Sequence, residues 1–154
     1  MSKIEGSYVT EHRLHAEGFT DAFFEEALAN VQHKIFGDWP LYGPKSGSKS
    51  GYGNEHDAAS TQYIFGQVFG RPGLDLKTRA ILVLACLCVL QREGVMRIWI
   101  NACLNVGWSE EEIKEMGMLM AHLAGFPTSR GSVLVFDDVF DKRHAQPGSK
   151  WAGA

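Results

Sequence analysis

DLKTRAILVLACLCVLQRE, residues 75–93, carries an unbroken apolar run from Ala80 to Leu90. Eleven such residues in a row leave no polar face, so a helix here is hydrophobic on every side and belongs inside a bundle, enclosed by other segments. The run falls well short of the roughly 18–20 residues that cross a bilayer, so it predicts a central core helix and no membrane contact. Asp75 stands where an N-cap carboxylate can accept from the free amides of the first turn, and Gly94 is the expected stop.

The segments on either side must supply packing partners. Upstream, Glu55 or His56 to Phe69 reads as an amphipathic helix, with Ala59, Tyr63 and Gln67 in one line and Ile64 and Val68 in the next, broken by Gly70-Arg-Pro-Gly-Leu. Before it, residues 37–54 (GDWPLYGPKSGSKSGYGN) are too rich in Gly, Ser, Lys and Pro for helix or strand. They form a long loop, read either as a lid bearing Trp39, Tyr42 and Tyr52 or as a plain connection. Asp21–Phe36 is a further expected helix, capped by Thr20, and residues 1–18 are a polar arm. Downstream, a helix from Gly94 to about Val106 carries Val95, Ile98, Trp99, Ala102, Cys103 and Val106 on one side. Ser109-Glu110-Glu111-Glu112 is a capping box opening a helix over 110–124, with Ile113, Met116, Met120 and Leu123 facing inward. A last helix over about 128–143 carries Val133, Phe136, Val139 and Phe140, and a loose tail follows from Ala145. No stretch alternates with period two, so the reading is all-α, a bundle of about six helices in one domain spanning 1–154.

With a net charge of −3 and its 15 Lys and Arg scattered, the chain offers no basic surface for nucleic acid. The first residues lack a signal-peptide core, and a cytoplasmic location is expected. Cys86, Cys88 and Cys103 all sit in apolar surroundings and read as buried structural thiols; two residues apart on a helix, Cys86 and Cys88 point to nearly opposite sides. The six histidines are dispersed without ligand spacing, so neither metal nor cofactor is implied.

FGQVFGRPGLDLKTRAILVLACL at 65–87 and NACLNVGWSEEEIKEMGMLMAHLAGFP at 101–127 together resemble the carboxymuconolactone decarboxylase family, whose wider group includes the AhpD-type alkylhydroperoxidases. The resemblance implies an AhpD-like helical subunit that assembles into homotrimers or homohexamers, with a site between helices. It also locates the departures. The C-x-x-C of thiol peroxidases falls on Arg92 and Val95, the site histidine on Trp99, the relay glutamate on Ala80, and the tyrosine before Ala-Gly-x-Pro on Leu123. A thiol peroxidase needs an accessible thiolate and a resolving thiol, and neither position supplies one.

Cofactor-free decarboxylation or isomerisation needs an acid or base beside the reacting carbon and donors for a carboxylate or enolate. The candidates for that work are His122, His56 and Arg79, with Trp99, Val95, Tyr63 and Arg92 as substrate-binding residues. Each has a plainer reading. Arg79 can hold the Arg-Pro-Gly-Leu loop through carbonyls, His122 can be a hydrogen-bonded core or interface residue, His56 a solvated helix start, and Trp99 a filler of the ancestral cavity. Two functions follow: a cofactor-independent lyase or isomerase for a cyclic or aromatic-derived acid or ketone in a rebuilt apolar pocket, or a non-catalytic small-molecule-binding or scaffold protein.

Overall fold

The computed structural model describes residues 31, 33–36 and 61–149, and their secondary structure is entirely helical. Residues 31 and 33–36 belong to a helix; the five that follow are α1 (Thr61–Val68), α2 (Leu76–Leu90), α3 (Glu93–Asn105), α4 (Glu110–Ala124) and α5 (Phe126–Ala145). The arm at 1–18, most of the helix expected at 21–36, the 37–54 loop and His56 lie outside the described residues.

Helices α2 to α5 run up and down beside one another, each in contact with the other three. Three side-chain bridges tie the two ends of this bundle. At one end, Trp108 in the α3–α4 turn donates its indole N–H to the carbonyl of Lys77 in the first turn of α2 at 2.8 Å, and His144 at the end of α5 lies 2.7 Å from Glu110 at the start of α4. At the other end Gln91, in the α2–α3 turn, donates to the carbonyl of Thr128 and the hydroxyl of Ser132 in α5, both at 3.2 Å. Between them Phe36, Phe65, Leu84, Met96, Ile100, Ile113, Phe136 and Val139 are fully buried, the apolar burial that drives the collapse.

The caps follow the sequence. Asp75 accepts from the amide of Thr78 at 2.9 Å and from its hydroxyl at 2.6 Å. Ser109 and Glu112 form the reciprocal box, at 3.1 and 2.8 Å. Helices α4 and α5 approach closely at Gly117, whose carbonyl accepts from the Ser129 hydroxyl at 2.8 Å and where a Cβ would lie 2.8 Å from the Phe136 ring.

Five expectations need correction. Helix α2 is not enclosed: Ala80, Leu84 and Cys88 are buried, but Leu82, Cys86, Val89 and Leu90 are exposed along the opposite side, because the described helices α3 to α5 pack against its other flank. Cys86 is therefore a surface thiol, while Cys88 and Cys103 are buried as read. The helix stops at Gln91 in the left-handed conformation, φ 53°, and not at Gly94, which sits inside α3; the side chain of Gln91 holds the Cys88 carbonyl at 2.5 Å and so supplies the cap that a glycine would otherwise provide. Leu123 points outward, 68% exposed, since α5 covers the α4 face one step round from it. Finally, α1 is a π-helix, the amide of Phe69 reaching back five residues to the carbonyl of Ile64 at 2.8 Å.

Candidate functional site

Val95 and Trp99 share one face of α3, because an offset of four residues at 100° per residue keeps them within about 40° of one another, and Arg92 is the N-cap residue just before the first turn. The face runs from solvent into the core. Arg92 and Val95 are exposed at its outer end, and Trp99 is only 6% exposed. The indole is clasped by rings: Phe36 stands edge-on at 5.3 Å and Phe69, from the end of α1, at 5.7 Å, while Phe65 closes the group against Phe36 at 5.3 Å and Phe69 at 5.5 Å. Offset and edge-to-face contacts are the favourable geometries for such rings.

The Gln91 bridge brings the α2–α3 turn, and so Arg92 and Val95, to the end of the bundle where α4 passes into α5. His122 is exposed in the last turn of α4. Around it Leu123 is 68% and Phe126 77% exposed, and Val89, Leu90 and Arg130 are also exposed. Arg92, Val95 and His122 thus occupy one end, an apolar surface dotted with cations.

Arg79 does not join them. It sits about 18 Å away along α2, twelve residues at 1.5 Å each, where its guanidinium donates to the carbonyls of Leu74 at 2.8 Å and Arg71 at 2.9 Å. Burial, and secondarily the nearby Arg71 charge, hold its pKa below the ordinary arginine value. These contacts match the loop-anchoring reading. Tyr63 is exposed on α1, whereas Phe65 and Phe69 are buried.

The sequence reading passed over a polar seam joining α3 to α5. Asn101, fully buried, accepts from Arg143 at 2.9 Å and donates to the Arg97 carbonyl at 3.1 Å. Arg143 also donates to Asn105 at 3.1 Å, and Asn105 to the Ile35 carbonyl at 3.1 Å. Desolvation holds the Arg143 pKa down, with Glu110 opposing it. Arg97 pairs with Asp138 and, at 2.9 Å, with Glu93; Lys142 completes the group at 2.8 Å from Asp138. Glu93 and Arg97 have the four-residue spacing, acid first, of a helical ion pair. The repeat of Arg97, Asn101 and Asn105 at the same spacing was the available signal for the rest of the seam.

Two of the three thiols are buried and one is exposed. Burial pushes the Cys88 thiol up to about 11 against a hydrogen bond from Ser132, and Cys103 is raised by burial and then by Cys88; buried thiols of this sort are inert. No cluster of three or more metal-ligating side chains occurs among the described residues, and no helix among them is long and apolar enough to cross a membrane.

Compared with known proteins, residues 54–138 match the model of the carboxymuconolactone decarboxylase family, more than half of the chain. The chain belongs to the carboxymuconolactone decarboxylase family. The 4-carboxymuconolactone decarboxylase of Acinetobacter baylyi is 34% identical over 80 residues, which are 52% of this chain and 60% of the relative. The chain therefore spans about three fifths of that protein's length. The match takes in α1 to α4 and most of α5, so the α3 face described above lies wholly inside it. Within this carboxymuconolactone decarboxylase domain, the position at which the resemblance places a histidine is held by the indole of Trp99, locked among rings.

Proposed function

We propose that this carboxymuconolactone decarboxylase family member is a cofactor-independent lyase or isomerase acting on a cyclic or aromatic-derived acid or ketone, with its site at the α2–α3 and α4–α5 turns. The observation that carries the reading is the Gln91 bridge to Thr128 and Ser132, which sets Arg92 and Val95 at the same end as His122. In this reading Arg92 holds the substrate carboxylate, Val95 and the outer edge of the Trp99 face bear the ring, and His122 exchanges the proton. For decarboxylation, the bond to the carboxylate breaks and CO2 leaves. The electron pair passes into a conjugated carbonyl, and the imidazolium of His122 then protonates the ring carbon. Tyr63 on α1 is a further candidate, as is His56, which lies outside the described residues. Arg79 serves by fixing the Arg71–Leu74 loop rather than by touching substrate. The family resemblance and the exposed Leu82, Cys86, Val89 and Leu90 side of α2 support assembly into a homotrimer or homohexamer, and a cytoplasmic location goes with that reading.

The test is release of CO2 from 4-carboxymuconolactone and from related cyclic acids. His122→Ala is expected to lower kcat by about 100-fold or more, the usual worth of a positioned acid or base. Arg92→Ala is expected to act mainly through KM. Turnover untouched by both substitutions refutes the assignment.

A second reading, a non-catalytic small-molecule-binding or scaffold protein, is favoured by one observation: the Trp99 indole is packed against Phe36 and Phe69. Saturable binding of a cyclic acid with no CO2 release and no isomerisation decides for it.

A further inference from the structure

Helices α4 and α5 form a hairpin whose outer side the proposed reaction leaves almost unused. On α4, Glu111, Glu115, Met118 and His122 fall within about 60° of one another at 100° per residue, and on α5, Phe126, Arg130, Leu134, Asp137 and Asp141 fall within about 80°. All of them are exposed. The helices touch on their inward sides, where Gly117 meets Ser129 and Phe136, and Lys114 joins the two outward rows by reaching Asp137 at 3.2 Å. The rows therefore make one surface.

That surface is sorted along its length. Counted from the turn at Gly125 at 1.5 Å per residue, His122 and Arg130 stand at about 5 and 8 Å, Met118 and Leu134 at about 11 and 14 Å, and Glu115 and Asp137 at about 15 and 18 Å. Basic side chains come first, then apolar ones, then carboxylates. Met118, Leu134 and the adjoining Leu119 are each more than half exposed, an apolar strip of the kind monomers rarely leave open. Glu115, Arg130 and Asp141 take no part in the ion pairs of the described residues.

A row that runs basic, apolar, acidic is complementary to itself when reversed. We infer that a second copy of this chain docks antiparallel on the outer side of the α4–α5 hairpin, about a two-fold axis beside Met118 and Leu134. Met118 and Leu134 then meet their own counterparts, Arg130 faces Asp137 of the partner subunit, and His122 faces Glu115 of the partner subunit. The midpoints of both charged pairs, and both apolar residues, fall about 10–14 Å from the turn, so one axis serves every contact. Such an isologous contact is distinct from the open side of α2: three chains joined through α2 and doubled through this face close as a hexamer. Only that number, and the meaning of a partner carboxylate beside His122, rest on the proposed function.

The test is the mass of the full chain by light scattering. Arg130→Glu sets like charges together and Leu134→Asp puts a carboxylate at the axis, so each is expected to halve the mass. Asp137→Arg alone should do the same, and Arg130→Glu with Asp137→Arg should restore it. Unchanged far-UV circular dichroism checks that each variant is folded. The register is read by cross-linking on a Cys86→Ser background: Met118→Cys, next to the axis, should oxidise to a disulfide-linked dimer, whereas Glu111→Cys, roughly 20 Å from its counterpart, should not. A wild type that runs as a single chain, a mass unmoved by both Arg130→Glu and Leu134→Asp, or a double variant that stays dissociated overturns the inference. So does cross-linking at position 111 in place of 118. None of these measurements needs turnover, so a failed CO2 assay would sink the proposed reaction and leave this contact standing.

Discussion

Gly117 is the position where a single atom matters most. A methyl group there meets the ring of Phe136 at 2.8 Å and Val133 at 3.4 Å, and Phe136 is fully buried with nowhere to swing. Alanine normally favours a helix over glycine by about 1 kcal/mol, yet here the clash should win. Gly117→Ala is expected to destabilise the fold by about 1–3 kcal/mol in urea unfolding, and Phe136→Leu in the same chain should recover part of the loss. Trp99 presents the converse case. Its indole fills the space among Phe36, Phe65 and Phe69, so Trp99→His removes ring contacts and buries a polar imidazole. A loss of about 2–4 kcal/mol is expected. A histidine there that leaves stability intact would show that the cluster tolerates the side chain that the family resemblance implies at this position.

Elements end where their side chains can satisfy the backbone. The Ser109 hydroxyl and Glu112 carboxylate each take one free amide of α4, and Ser109→Ala should cost about 1 kcal/mol of stability in thermal unfolding. Both this box and the Asp75 cap were legible in the sequence, because capping depends on residues within one turn. So were the bounds of α4 and the inward positions Ile113, Met120, Phe136, Val139 and Phe140, since helical periodicity is also local. What escaped depends on partners distant in sequence. The Gln91 corner is held by Thr128 and Ser132, some forty positions on, and nothing in its own neighbourhood announces a left-handed residue without glycine. Leu123 carries the right hydrophobicity for the core and the wrong azimuth for α5. The candidate site was legible as a list of positions from the family resemblance; that Arg79 lies at the far end of α2, bound to the carbonyls of Arg71 and Leu74, required the folded bundle.

At the scale of the molecule, charge and burial set opposite limits of pH. Asp138 is held below the usual carboxylate range, first by its hydrogen bond from Lys142 and then by that from Arg97. A carboxylate lowered in the folded state stabilises it at higher pH, and that contribution is lost as pH falls through the region below about 4. The buried thiols act at the other extreme. Cys88 is raised from 9.0 to about 11, so the unfolded chain ionises first and stability falls as pH climbs through that interval; Cys103 shifts in the same direction. Denaturation midpoints measured from pH 8 to 11 should decline, and Cys88→Ala should flatten part of the decline. Assembly is testable on the open side of α2: Leu82→Lys with Leu90→Lys is expected to shift light-scattering mass toward the single chain, whereas a mass that is unaltered removes that side as the contact. The division of the three cysteines into one at the surface and two within makes a chromogenic disulfide reagent a running counter. It should register one fast equivalent for an isolated folded chain and three once the bundle opens. If neighbouring copies cover Cys86, the fast equivalent should be missing until they separate.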